Sequence, residues 1–162
     1  MHETQLREIL LKGLPKIASA AASGIYPMGF QPQLVPCRDS VLDSQVVASQ
    51  LIYTKNIHVV AFLTMDSEQI IKLGQQVFSK SSRLDSSKTV ISANGEILNT
   101  IMAKLGYLIG KIDNDTDMTI TPPIVINCSG DNRISIHGSG SIFLNLASGD
   151  FSMRVISSIQ MV

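Results

Sequence analysis

The chain has no tryptophan, only two cysteines and little charge: 16% of its 162 residues are Asp, Glu, Lys or Arg. Each shortage excludes something. The 13 basic and 13 acidic residues cancel to a formal net charge of zero. No run of Lys or Arg supplies a local basic patch, so nucleic acid is not an expected partner. Cys37 and Cys128 belong to no CxxC pair and read as separate reduced thiols of a cytosolic protein. His2, His58 and His137 are scattered, with no carboxylate at ligand spacing, so the chain is expected to hold no metal of its own. No stretch approaches the ~20 apolar residues of a membrane span. The charged opening Met-His-Glu-Thr-Gln-Leu-Arg-Glu lacks the apolar core of a signal peptide. A cytoplasmic protein with no membrane contact is expected.

What is present is a hydrophobic fraction of 44%. That suffices for one domain over 1–162 with a substantial core. Low charge also leaves some apolar surface over, which suits self-association.

Leu6, Ile9, Leu10, Leu14 and Ile17 mark an opening amphipathic helix that Pro15 is expected to kink or divide, with Ala20 to Gly24 ending it. Residues 26–40, with Pro27, Pro32 and Pro36, read as an extended connector. Gln45 to Tyr53 and His58 to Met65 are strand-like and separated by a short polar gap, which predicts an antiparallel hairpin. Asp66-Ser-Glu-Gln69 has the form of a capping box, with Met65 and Ile70 as its hydrophobic staple, and opens a second helix ending near Val77 to Ser79. A polar stretch, 79–86, leads into a long third helix over Ser87 to Ile112. Four more strands are expected at Ile124 to Cys128, Arg133 to His137, Ser141 to Ala147 and Phe151 to Ile159. Their turn-rich separators are short, so consecutive strands should pair antiparallel. The fold class is therefore α+β: two layers, an antiparallel sheet with the long helix and one or two further helices packed on it.

The long helix carries the residues of interest. Val90, Ile91, Ile97, Leu98, Ile101, Met102, Leu105, Leu108 and Ile109 recur at three- and four-residue intervals and define a buried stripe. At about 100° per residue, Ser92, Glu96, Asn99 and Ala103 project roughly opposite that stripe. Gly95, Thr100, Ala103 and Gly106 are small, so the face reads as flat and nearly uncharged apart from Glu96. Exposed Glu and Asn three residues apart are usually ordinary surface decoration. Two facts point the other way: the face is otherwise depleted of charge, and Asn is a poor residue for a helix interior.

Other candidates fall away. Gly138-Ser-Gly140 precedes a strand rather than a helix N-terminus, so it reads as a turn and not a phosphate loop. Ser92 has no His on its helix face to activate it. The methionines, among them Met28, Met65, Met102, Met118, Met153 and Met161, read as core filler.

A carboxamide takes no proton near neutral pH, so Asn99 cannot be a general base. It can donate and accept together, which suits holding a water in line with an electrophile, as the water-orienting Gln of GTPases does. Glu96 would repel a phosphoryl group unless it gripped a cation beside it. Together they imply a substrate that brings its own metal and its own activated phosphate.

These same residues carry a resemblance. Ser92-x3-Glu96-x2-Asn99 is followed, after 22 further residues, by Pro122. That spacing resembles the Asp/Ser-x3-Glu-x2-Asn-x22-Pro signature of the CheC/CheX/FliY family of chemotaxis phosphatases. The core 94–99, Asn-Gly-Glu-Ile-Leu-Asn, and the segment 117–125, Asp-Met-Thr-Ile-Thr-Pro-Pro-Ile-Val, are similar to theirs. A single copy of the motif is present, as in the CheX-like members. The resemblance implies hydrolysis of the aspartyl phosphate of a CheY-type response regulator, ending a chemotaxis signal. It implies that Asn99 enters the regulator's site and orients the attacking water, while Glu96 pairs with the regulator's active-site Lys. Ser92, Gly95, Ala103 and Pro122 would support the docking surface. The chain would need no cofactor of its own, Mg2+ being supplied by the bound regulator, and would form a homodimer with two separate sites. A non-catalytic module that binds the phosphorylated regulator, or a flagellar-switch component, is the alternative. The chain departs from its relatives at Leu98, where they often have Gly, and at Met102-Ala103, where they have a smaller pair; Leu98 is expected to face the core.

Overall fold

The computed structural model describes residues 3–78, 83–113 and 117–162. The polar lead-in expected over 79–86 therefore lies in part outside the described residues. Helix α1 spans Glu3–Ile25 and is continuous through Pro15. Proline removes one helical hydrogen bond. The buried row Leu6, Leu10, Leu14, Ala18 and Ala22 runs past it on one side, and this packing keeps the helix undivided across the proline.

Two strands then stand where a connector was expected, β1 (Gln31–Val35) and β2 (Ser40–Leu42). β1 is an edge strand, the one place in a sheet where Pro32 is tolerated. The hairpin β3 (Gln45–Tyr53) and β4 (Ile57–Asp66) forms as expected and is antiparallel. Helix α2 (Ser67–Val77) starts at Asp66, whose carboxylate accepts the Glu68 amide at 2.9 Å. The other half of the predicted capping box is absent, because the Gln69 side chain accepts the Ser152 amide instead, tying α2 to the sheet.

Helix α3 (Arg83–Asp113) has 31 residues and is about 46 Å long. The strands that follow are β5 (Thr119–Ile120), β6 (Ile124–Cys128), β7 (Ile134–Ile136), β8 (Ser141–Ser148) and β9 (Phe151–Met161). The main sheet has the order β1-β8-β9-β4-β3-β5, with β6 also paired to β3, and every pairing in it is antiparallel. The four C-terminal strands do not form the simple meander expected from their short links. Only β8 and β9 pair with each other; β6 joins β3, and β7 pairs with β2 as a separate ribbon.

Alternation along the strands separates two apolar clusters. Ala48, Leu63, Leu144 and Val155 face the three helices in the main core, while Val47, Phe143 and Ile156 point the other way. There the β2–β7 ribbon covers them with Leu42 and Ile136. The fold is the expected α+β arrangement of helices on one antiparallel sheet, with this ribbon added behind. Thr54 fixes the end of α3, its hydroxyl donating to Asp113 Oδ2 at 3.1 Å. No helix among the described residues is long and apolar enough to cross a membrane.

Candidate functional site

Why α3 presents the faces it does follows from its stripe. Val90, Ile97, Leu98, Ile101, Met102, Leu105 and Ile109 are buried against α1, α2 and the sheet. Ser92, Glu96, Asn99 and Ala103 are exposed on the other side. Among the described residues Glu96 has no hydrogen-bonding or ion-pair partner, so its carboxylate is available to a second molecule. Tyr107 extends the same face by one turn, 61% exposed and with Lys111 Nζ 4.4 Å above its ring.

Asn94 lies about 140° around the helix from Asn99 and does different work. It is buried, accepts a hydrogen bond from the Tyr26 hydroxyl at 2.6 Å, and donates toward Met65 Sδ at 3.8 Å. Burial pushes the Tyr26 phenol well above its ordinary range, so it remains a donor. Asn94 is the polar pin that joins α3 to β4 and to Tyr26, the residue just after α1, inside the core.

The small residues of the face divide. Gly95 is itself buried among its helix neighbours, yet a Cβ there would meet nothing within 4 Å, so packing does not require glycine. Gly106, expected on the open face, is covered: a Cβ there would lie 3.0 Å from Ile120 Cδ1 and 3.1 Å from Met118 Cε. Its lack of a side chain lets the segment 118–121 cross close over α3.

Beyond that crossing, Thr121, the residue before Pro122, is linked to Asn99 through Gln50, by an irregularity that the sequence does not announce. β5 and β6 lie along the same edge of β3, but their registers differ by one residue: Ile52 faces Ile120, whereas Ser49 faces Ile124. Thr121, Pro122 and Pro123 thus stand opposite only Gln50 and Leu51, which is a β-bulge. Two prolines without N–H groups cannot continue the ladder there. Thr121 is nevertheless held hard. Its amide donates to Leu51 O at 2.9 Å, and its hydroxyl accepts the Leu51 amide at 3.0 Å.

Beside the bulge is Gln50, only 2% exposed and pointing from β3 toward the helix layer. Its Nε2 donates to Thr121 O at 2.7 Å and to Asn99 Oδ1 at 2.8 Å. One buried amide therefore joins the strand, the residue before Pro122, and the exposed Asn99. Nothing local in the sequence singled out Gln50, because a lone polar residue inside a strand pattern carries no periodic signal. Among the described residues no three His, Cys, Asp or Glu side chains gather as a metal site.

No family model and no curated protein matches the chain. Its fold is shared with solved chemotaxis proteins. A putative chemotaxis protein from Desulfovibrio vulgaris Hildenborough aligns with a TM-score of 0.70 at 17% identity, covering 93% of this chain and 96% of that one. The chemotaxis protein CheX from Vibrio vulnificus aligns with a TM-score of 0.65 at 12% identity, covering 91% and 95%. CheX in a CheX–CheY–BeF3–Mg2+ complex from Borrelia burgdorferi aligns with a TM-score of 0.61 at 18% identity, covering 90% and 96%.

Proposed function

We propose that this chain is a phosphatase acting on the aspartyl phosphate of a CheY-type response regulator. The observation that carries it is the pairing of an unpartnered, exposed Glu96 with an exposed, internally braced Asn99 on a protein of the CheX fold. A CheX of the same fold is found in complex with CheY, which supports a receiver domain as the partner. In the proposed reaction a water oxygen forms a bond to phosphorus while the bond from phosphorus to the aspartyl oxygen breaks. The regulator recovers its carboxylate and inorganic phosphate leaves.

Asn99 enters the regulator's site and holds the water in line, removing the entropy of finding it. Glu96 pairs with the regulator's Lys and thereby sets the angle of docking. The lone Glu96 carboxylate cannot make a divalent-cation cage, so the Mg2+ that such a site uses to bind the acyl phosphate belongs to the regulator. The test is phosphate release from a phosphorylated CheY-type receiver domain. Glu96→Ala should raise KM more than it lowers kcat, and Asn99→Ala should do the reverse. An Asn99→Ala protein with full activity would remove Asn99 from the reaction.

Gly95 offers a separate check on the docking face. Glycine inside a helix costs about 1 kcal/mol relative to alanine, and no neighbour forbids a methyl group here. Gly95→Ala is therefore expected to raise the melting temperature while weakening association with the regulator, because the added methyl keeps the partner away. Calorimetric melting and a binding titration read the two effects; a gain in both would mean that the glycine serves no close approach.

We also infer a homodimer formed along β6. Ile124, Val125 and Ile126 are exposed by 63%, 45% and 37% on a strand that has β3 on only one side. An apolar edge of this kind is a template for pairing, and an identical antiparallel edge is its simplest complement. Light scattering at micromolar concentration should give a dimer, and Val125→Lys should give a folded monomer. A monomer in the unaltered chain would contradict this.

A further inference from the structure

We infer that Gln50, braced by the Thr121–Pro123 bulge, is a positioning residue that fixes the sense of the Asn99 carboxamide, with its oxygen inward and its NH2 group outward. This inference rests on the phosphatase function proposed above and names what orients the group that orients the water.

The assignment follows from donor and acceptor chemistry. A backbone carbonyl can only accept, so the Gln50 atom 2.7 Å from Thr121 O is its nitrogen. The same nitrogen lies 2.8 Å from the end of the Asn99 side chain, and a donor there requires an acceptor opposite. That atom is Oδ1. Both Gln50 hydrogens are spent, and the Asn99 NH2 group is left facing the partner. Free of such a contact, the last torsion of an Asn side chain is broad and roughly two-fold, so both senses would be populated.

The bulge makes the brace possible. In an ordinary antiparallel pair Leu51 and Thr121 would exchange two backbone hydrogen bonds, and the Thr121 carbonyl would accept the Leu51 amide. Here the Thr121 hydroxyl takes that amide at 3.0 Å, which releases the carbonyl for Gln50. Pro122 and Pro123 then break the ladder and prevent the strand from closing back into register. The motif proline thus acts on Asn99 through Gln50, although neither proline reacts. Gln50 is also not placed for stability alone: its Oε1 is buried without a hydrogen-bond partner among the described residues, a cost that an apolar residue would avoid.

The test is a mutant cycle on the full chain, with a CheY-type receiver phosphorylated by acetyl phosphate as substrate. Gln50→Met keeps the volume and removes the donors. It should lower kcat by roughly 10- to 100-fold, the scale of a misplaced catalytic group, while KM changes by less than about two-fold. In an Asn99→Ala background the same substitution should cause no further loss. Full activity in Gln50→Met, or an equal loss in both backgrounds, would overturn the inference. A second readout needs no variant. In the unaltered chain the Gln50 side-chain amide protons, both bonded and buried, should exchange with solvent far more slowly than those of exposed Gln160. Equal exchange would overturn the brace. If the unaltered chain leaves the phosphorylated receiver untouched while these protons are protected, the brace stands and the phosphatase function fails.

Discussion

Asn99→Ala is expected to reduce the catalysed dephosphorylation rate by about 10²- to 10⁴-fold, the usual contribution of one positioned catalytic group. The side chain is exposed at the margin of the buried stripe of α3, with its Oδ1 turned inward to Gln50, so its removal should open no sealed cavity in the core. It leaves one Gln50 hydrogen without its acceptor, a modest cost because the same nitrogen keeps Thr121 O. The variant should therefore fold, dimerise and bind the regulator while failing to turn it over. Single-turnover phosphate release, with binding measured in parallel, separates these outcomes. A fall in binding that accounts for the whole loss would make Asn99 a docking residue.

Tyr26→Phe is expected to do the opposite. The hydroxyl donates to Asn94 Oδ1 at 2.6 Å, with Val90 O at 3.2 Å, in a part of the core closed to solvent. Without it, a buried carboxamide oxygen has no donor, which costs about 1–3 kcal/mol. Chemical denaturation should register that loss. The rate constant at a temperature where the variant is folded should be unchanged, because Asn94 and Asn99 lie on nearly opposite sides of the helix. The two asparagines, five positions apart, thus test a division of labour: one holds α3 in place and the other works from it. Unchanged stability in Tyr26→Phe would mean that the Asn94 pin contributes little.

Much of the frame was legible because periodicity is a local signal. The apolar stripe of α3 and the exposed setting of Ser92, Glu96, Asn99 and Ala103 follow from residue spacing alone. The β3–β4 hairpin and the start of α2 follow from alternation and from Asp66. What could not be read depends on partners distant in sequence. β1 and β2 lie in a proline-containing stretch whose strand character comes from β8 and β7, more than 90 residues further on. The pairing of β6 with β3 rather than β7 is a choice among edges, and short turns do not encode it. Gly106 reads as surface until 118–120 folds across it. Gln50 reads as a polar intrusion in a strand until the bulge and α3 meet around it. The motif itself showed three polar residues and a distant proline. In the fold, that proline follows Thr121 in the bulge, and the Thr121 carbonyl accepts from the same Gln50 amide that donates to Asn99.

The most direct test of the central claim is the lifetime of the phosphoryl group on a CheY-type receiver, measured with Mg2+ present and with catalytic amounts of this protein added. A phosphatase should shorten that lifetime in proportion to its own concentration and release one inorganic phosphate for each receiver, many times over. A protein that binds the phosphorylated receiver and leaves its lifetime unchanged would contradict the account.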